Sequence, residues 1–159
     1  MTNEIMKNQM TEINSETLFE KFFTTTGRIG RMTFFKRTFM IGLIEFFALF
    51  CIGIVGSVYE VAGTETPMWV NALNAIVIFA ALIPGYFLNT KRLHDIGKDS
   101  TLAKIFLGIG ILSAIHTVAI APVLMSIPLI IENVVLIGFT LYLLFMRGDE
   151  NANEYGNAQ

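Results

Sequence analysis

The stretch from Ile105 to Met146, IFLGIGILSAIHTVAIAPVLMSIPLIIENVVLIGFTLYLLFM, runs for 42 residues with a single charge, Glu132. An apolar helix needs about 20 residues to cross a hydrocarbon core of about 30 Å, so this stretch is long enough for two crossings. Pro122 and Pro128 bracket Val123-Leu124-Met125-Ser126-Ile127 in its middle. Proline removes a backbone donor and biases the residue before it away from helix, so a tight hairpin fits there. One long kinked helix in its place would greatly exceed the bilayer.

Two further stretches are as bare of charge. Thr38–Tyr59 carries only Glu45, and Thr66–Thr90 carries none. The expected fold is therefore all-α: a polytopic membrane protein with four transmembrane helices in a bundle, at about 38–59, 68–88, 103–121 and 128–146. Residues 1–14, polar and Met-rich, read as a flexible cytoplasmic tail, and 147–159 as a cytoplasmic C-terminal tail. Between the first tail and the first span, residues 15–37 read as an interfacial helix followed by a turn. Thr17 and Glu20 have capping-box spacing, and Leu18, Phe19, Phe22 and Phe23 form one apolar face. Such a helix lies on the lipid or packs on the protein; the residues allow both. The first apolar run begins near residue 38, too late for a cleaved signal.

Composition agrees. Of 159 residues 53% are hydrophobic and only 15% charged, against about 25% in an ordinary soluble domain. That excludes a disordered chain, and the net charge of −2 argues against nucleic-acid binding. Cys51 is the only cysteine, which excludes an intrachain disulfide and a cysteine-built zinc cage.

The charges also orient the chain, because Lys and Arg resist translocation. Lys7, Lys21, Arg28, Arg31, Lys36 and Arg37 precede the first span; Lys91, Arg92, Lys98 and Lys104 lie between the second and third; Arg147 follows the fourth. These are all eleven basic residues, and the other two loops hold only Glu60 and Glu65. Both termini and the middle loop are expected in the cytoplasm.

Two cytoplasmic motifs depart from apolar filler. In Gly27-Arg28-Ile29-Gly30-Arg31 the glycines permit a sharp turn, and the arginines, three apart, share a face if the turn is helical. In Lys91-Arg92-Leu93-His94-Asp95-Ile96-Gly97-Lys98, Asp95 can pair with Arg92 or Lys91, and Gly97 can end the second helix in a left-handed cap. Arg28, Arg31, Arg92, His94 and Asp95 are thus the candidate ligand-, partner- or lipid-binding residues, since the guanidinium fork matches phosphate and carboxylate. Two plainer readings stand beside this one: a clasp in which Asp95 holds Arg28 or Arg31 against the middle loop, and headgroup anchoring. His94 is either a pH-responsive contact or a side chain satisfied by a loop carbonyl.

On these residues the chain resembles the small bacterial inner-membrane proteins of the domain-of-unknown-function family 805, the YhaH-like proteins. The likeness rests on Gly-Arg-x-x-Arg within Phe23–Phe35, on the specific Arg-Leu-His-Asp-Ile-Gly-Lys run at 92–98, and on the tail Asn153-Glu154-Tyr155-Gly156. It covers roughly residues 18–157. Asp99-Ser100-Thr101-Leu102 stands where the family often has an aromatic pair, and Met32-Thr33-Phe34 where Arg/Glu-Tyr-Trp is usual. The resemblance implies a polytopic inner-membrane protein and supplies no reaction.

Polar groups inside the spans are costly and are functional candidates by default. By depth they sort into Asn74, His116 and Glu132 in the outer half, and Glu45 with Tyr142 nearer the cytoplasm. They read as a proton or solute pathway, or as a satisfied His116–Glu132 interhelical pair with Glu45 protonated and hydrogen-bonded. Gly53 with Ser57 and Gly110 with Ala114 have the spacing that permits close helix contact. No metal-ligand set, phosphate-cradling loop or cofactor motif is present, so no cofactor is expected and an enzyme is the less favoured class. The expected function is a non-enzymatic inner-membrane protein binding a partner or anionic lipid through its basic cytoplasmic face. The alternative is a small oligomeric transporter or channel using Glu45, His116 and Glu132. Expected partners are membrane lipids, with a second copy or another membrane protein as further candidates.

Overall fold

The computed structural model describes residues 17–119 and 126–157. The expected tail at 1–14 and most of the turn between Pro122 and Pro128 lie outside the described residues. The described chain is all-helical: α1 (Leu18–Phe23), α2 (Arg31–Val61), α3 (Met68–Asp95), α4 (Thr101–Ala119) and α5 (Ser126–Phe145). Among these, α2, α3 and α5 are long and apolar enough to cross a membrane, and α4 is a shorter apolar helix over Thr101–His116.

Local chemistry sets the ends. The Thr17 hydroxyl accepts from the Glu20 N–H while the Glu20 carboxylate accepts from the Thr17 N–H, so the expected capping box starts α1. These bonds hold the Glu20 carboxyl below the usual carboxylate range. Gly97, with φ +76°, follows the end of α3. The Lys98 N–H returns to the Leu93 carbonyl at 2.9 Å, which is the left-handed stop expected from the sequence.

Two helices overrun their expected spans. α2 has 31 residues and α3 has 28, about 46 Å and 42 Å at ~1.5 Å per residue, against ~30 Å of hydrocarbon. Nothing between Arg31 and Thr38 breaks a helix, so α2 starts seven residues before the apolar run. For the same reason α3 continues through Lys91-Arg92-Leu93-His94-Asp95. This motif is the last turn and a half of a helix rather than a loop.

Each long helix packs on its neighbour in sequence, and α2 and α3 each also reach α5. The principal buried cluster gathers at the end where α2 and α4 begin and α3 and α5 finish: Phe22, Ile29, Phe34, Leu88, Leu93, Ala103, Phe139 and Leu143. Away from it packing is thin. No residue in the apolar window of α2 is buried. α3 and α4 do approach closely at Gly110, where an added Cβ would meet Leu82 Cδ2 at 2.7 Å.

Candidate functional site

Arg28, Arg92, His94 and Asp95 meet at this packed end, and all four are buried. Gly27 sits at φ +86° and Gly30 is extended, so residues 24–30 are not helical. Arg28 therefore points inward while Arg31, the first residue of α2, is exposed. The expectation that the two arginines share a face is corrected here, because it requires a helical turn that both glycines interrupt.

Asp95 is the hub. Its Oδ1 lies 3.3 Å from Arg28, and its Oδ2 pairs with Arg92. Of the readings open from sequence, this geometry is that of the clasp, with Arg28 rather than Arg31 as the distant partner and Arg92 as the near one. Each guanidinium has a second task. Arg92 Nε donates to the Leu143 carbonyl at 2.8 Å and Nη2 to that of Met146. These are among the last carbonyls of α5, which have no partner within the helix, so a cation there satisfies them and opposes the helix dipole. Arg28 Nη1 donates to the carbonyls of Asn151 (2.7 Å) and Gly156 (3.2 Å), and Nη2 to that of Asp149.

The C-terminal segment is thereby wrapped across the end of α3. The Asp149 N–H donates to the Asp95 carbonyl at 2.7 Å, and Asn153 Nδ2 to the His94 carbonyl at 3.0 Å, which also accepts from the Gly97 N–H. Asn153 and Gly156 pair backbone to backbone in a tight turn. Gly148 passes so close to the Asp95 carboxylate that an added Cβ would lie 2.3 Å from Oδ2. Read from the sequence only as a tail, residues 148–157 are a wall of the site. The turn residues Asn153 and Gly156 were the available signal.

His94 Nδ1 faces the Gly27 carbonyl at 3.3 Å, and its ring stacks on Tyr155 at 3.8 Å and 4°. Burial lowers its pKa, opposed by the Gly27 carbonyl and the Glu154 and Asp99 charges. This is the contact expected of a histidine satisfying a loop carbonyl. On the other flank Lys91 Nζ donates to the Glu20 carbonyl at the base of α1, and Arg37 lies over the Phe22 ring at 5.9 Å. α1 so buries Phe22 against the protein while leaving Leu18, Phe19 and Phe23 exposed.

Beside the clasp is a polar cavity of about 230 Å³ lined by Arg31, Arg92 and Arg147 together with Asp95, Asp149 and Glu150. Its charges balance, so its electrostatics do not favour an anion.

The polar residues of the apolar segments separate as follows. His116 Nδ1 lies 2.9 Å from Glu132 Oε1, joining α4 to α5. Asn74 is half-buried, and no hydrogen bond joins it to that pair among the described residues. Glu45 does not share its cavity with Tyr142, which packs against the buried cluster. Positions 140 and 142 project from different faces of α5, and Thr140 is the one that lines the cavity with Glu45, Tyr86 and Asn89. Among the described residues no three His, Cys, Asp or Glu side chains come together as a metal site.

No curated protein and no solved structure shows a significant match to this chain. Compared with known protein families, residues 22–157 match the one described as "Protein of unknown function (DUF805)". The match begins at Phe22 in α1 and ends at the wrapped C-terminal turn, so it takes in both sides of the clasp as well as the helices between; the chain belongs to the DUF805 family.

Proposed function

We propose that this is a four-span, non-enzymatic protein of the bacterial cytoplasmic membrane, with both termini in the cytoplasm, whose basic face binds anionic lipid headgroups. The observation that carries this reading is how the basic residues divide. Arg28, Lys91 and Arg92 are buried, whereas Lys36, Lys98 and Lys104 are exposed at the same end of the helices. Exposed Leu18, Phe19, Phe23, Met32 and Phe35 stand among them. Apolar side chains entering the acyl boundary with cations at headgroup level are what an anionic leaflet attracts, each cation contributing about 1 kcal/mol. The clasp holds this face in place and does not itself meet the lipid.

Native mass spectrometry of the chain released from membranes tests the reading. Phosphatidylglycerol or cardiolipin should remain bound to the native chain and be lost from the triple variant Lys36→Gln, Lys98→Gln, Lys104→Gln. Equal retention by both overturns it, and a stoichiometric protein in place of lipid would make the face a partner site. A reporter fused after Tyr155 and active only in the periplasm overturns the topology.

The second reading is a small oligomeric transporter or channel using Glu45, His116 and Glu132. What favours it is the cavity at Glu45. His116 and Glu132 are occupied with each other. Flux into proteoliposomes that is the same for the native chain and for Glu45→Gln would remove it.

A further inference from the structure

Glu45 stands between two hollows. One, about 140 Å³, is half-open and lies among α2, α3, α4 and α5, with Tyr86, Asn89 and Thr140 in its wall beside the Phe106 and Phe139 rings. These two rings stack in parallel at 3.6 Å. The other, about 290 Å³, is an almost wholly apolar groove between α2 and α3, lined by Ile41, Ile44, Ala48, Val77, Ala80 and Pro84. Glu45 and Ala81 line both, so the hollows meet across the carboxylate.

No Lys, Arg or His lines either hollow, and no hydrogen bond or ion pair engages the Glu45 carboxylate among the described residues. The other acidic group placed in the apolar segments, Glu132, has His116 as its partner. A carboxyl within an apolar segment keeps its charge only beside a cation and is otherwise protonated, and no basic side chain of the protein lines either hollow. The wall decides which kind. The smaller hollow has room for more than one water molecule, enough to admit a compact ammonium group. Aromatic rings beside a carboxylate attract an organic ammonium through the ring quadrupole as well as through charge. A bare metal ion would instead want several oxygen ligands, and the apolar groove would add nothing to its binding.

We propose that Glu45 and its two hollows form a binding site for an amphiphilic organic cation, with the ammonium head among Glu45, Tyr86, Phe106 and Phe139 and an alkyl chain in the groove between α2 and α3. This gives the transporter reading a substrate class and rests on its use of Glu45. Binding without flux would keep the site and discard transport.

The test is calorimetric titration of the full chain, purified in a nonionic sugar detergent, with hexyltrimethylammonium, tetramethylammonium and hexyl sulfate. The hexyl cation should bind saturably at one per chain, at least tenfold more tightly than tetramethylammonium, while hexyl sulfate should not bind. Glu45→Gln should weaken the hexyl cation at least tenfold, and Glu65→Gln, exposed between α2 and α3, should leave it unchanged. No saturable binding, equal affinity in Glu45→Gln, or equal binding of hexyl sulfate overturns the proposal. If Glu45→Gln does not fold, Ala80→Leu decides, because it fills only the groove. Loss of the preference for the hexyl chain over tetramethylammonium supports the site, and an unchanged preference overturns it.

Discussion

The end of the molecule around Asp95 and the apolar length of α2 invert the usual relation between charge and burial. Around Asp95 the buried residues include two arginines, a lysine and a histidine. Along α2 the exposed residues include Phe39, Leu43, Phe46, Phe47, Phe50 and Ile54. A chain whose outside is lipid has little to gain by hiding apolar side chains there, since acyl tails are as apolar as leucine. Its tight packing collects at the end where α2 and α4 begin and α3 and α5 finish, and there polar groups can be buried only in mutual satisfaction. The clasp is the result: one carboxylate, two guanidiniums, and carbonyls from α3, α5 and the C-terminal segment.

The sharpest way to break that contrast is to empty its hub. Asp95→Ala leaves Arg28 and Arg92 buried without their carboxylate, and loss of one partner of a buried pair costs about 3–5 kcal/mol. Denaturant unfolding in detergent should show a loss of that order. A result under ~1 kcal/mol would mean that the arginines are held by carbonyls alone.

A smaller loss, about 1–3 kcal/mol from overpacking, is expected of Gly148→Ala, whose Cβ cannot share space with Asp95 Oδ2. The segment after Arg147 should then become a site of limited proteolysis. Resistance equal to that of the native chain would show that the close approach is not needed.

Smaller still is the effect of pH. Burial lowers the pKa of His94 from 6.5, so the unfolded chain takes up a proton that the folded chain resists. The stability contributed by neutral His94 is complete above about 6.5 and is lost as pH falls below it. Melting midpoints from pH 7.5 to 5 should fall less in His94→Gln than in the native chain.

Least of all should follow from Gly53→Leu in α2. Gly53 is exposed and an added Cβ would meet nothing within 4 Å, so stability should change by no more than ~0.5 kcal/mol. A large loss would place a neighbour on that face.

How far the sequence foretold this arrangement depends on the range of the interaction. Charge-free runs specify apolar helices because hydropathy is summed along the chain, and α2, α3 and α5 lie where those runs do. The capping box of Thr17 and the stop at Gly97 were legible because each is a contact within five residues. The residues of the clasp were also legible, since Asp95 beside Arg92 and a glycine-flanked Arg28 are marked by type. Its completion was not. Arg28 grips backbone carbonyls of residues 149–156, and a carbonyl has no letter in the sequence. Glu45 shows a different failure. Depth along a helix put it level with Tyr142, but helical rotation turns Thr140 and not Tyr142 toward it.

The grip of Arg28 on Asp149, Asn151 and Gly156 spans 121 to 128 residues of chain. Arg28 leaves the ribosome at least 121 residues ahead of these carbonyl partners. Until they emerge, its spare donors have only water, and the Asp95 carbonyl at the end of α3 waits for the Asp149 N–H. This end can thus close only after the helices that frame it: α1 to α5 all precede residue 149, and the buried arginines keep an open side until that segment arrives.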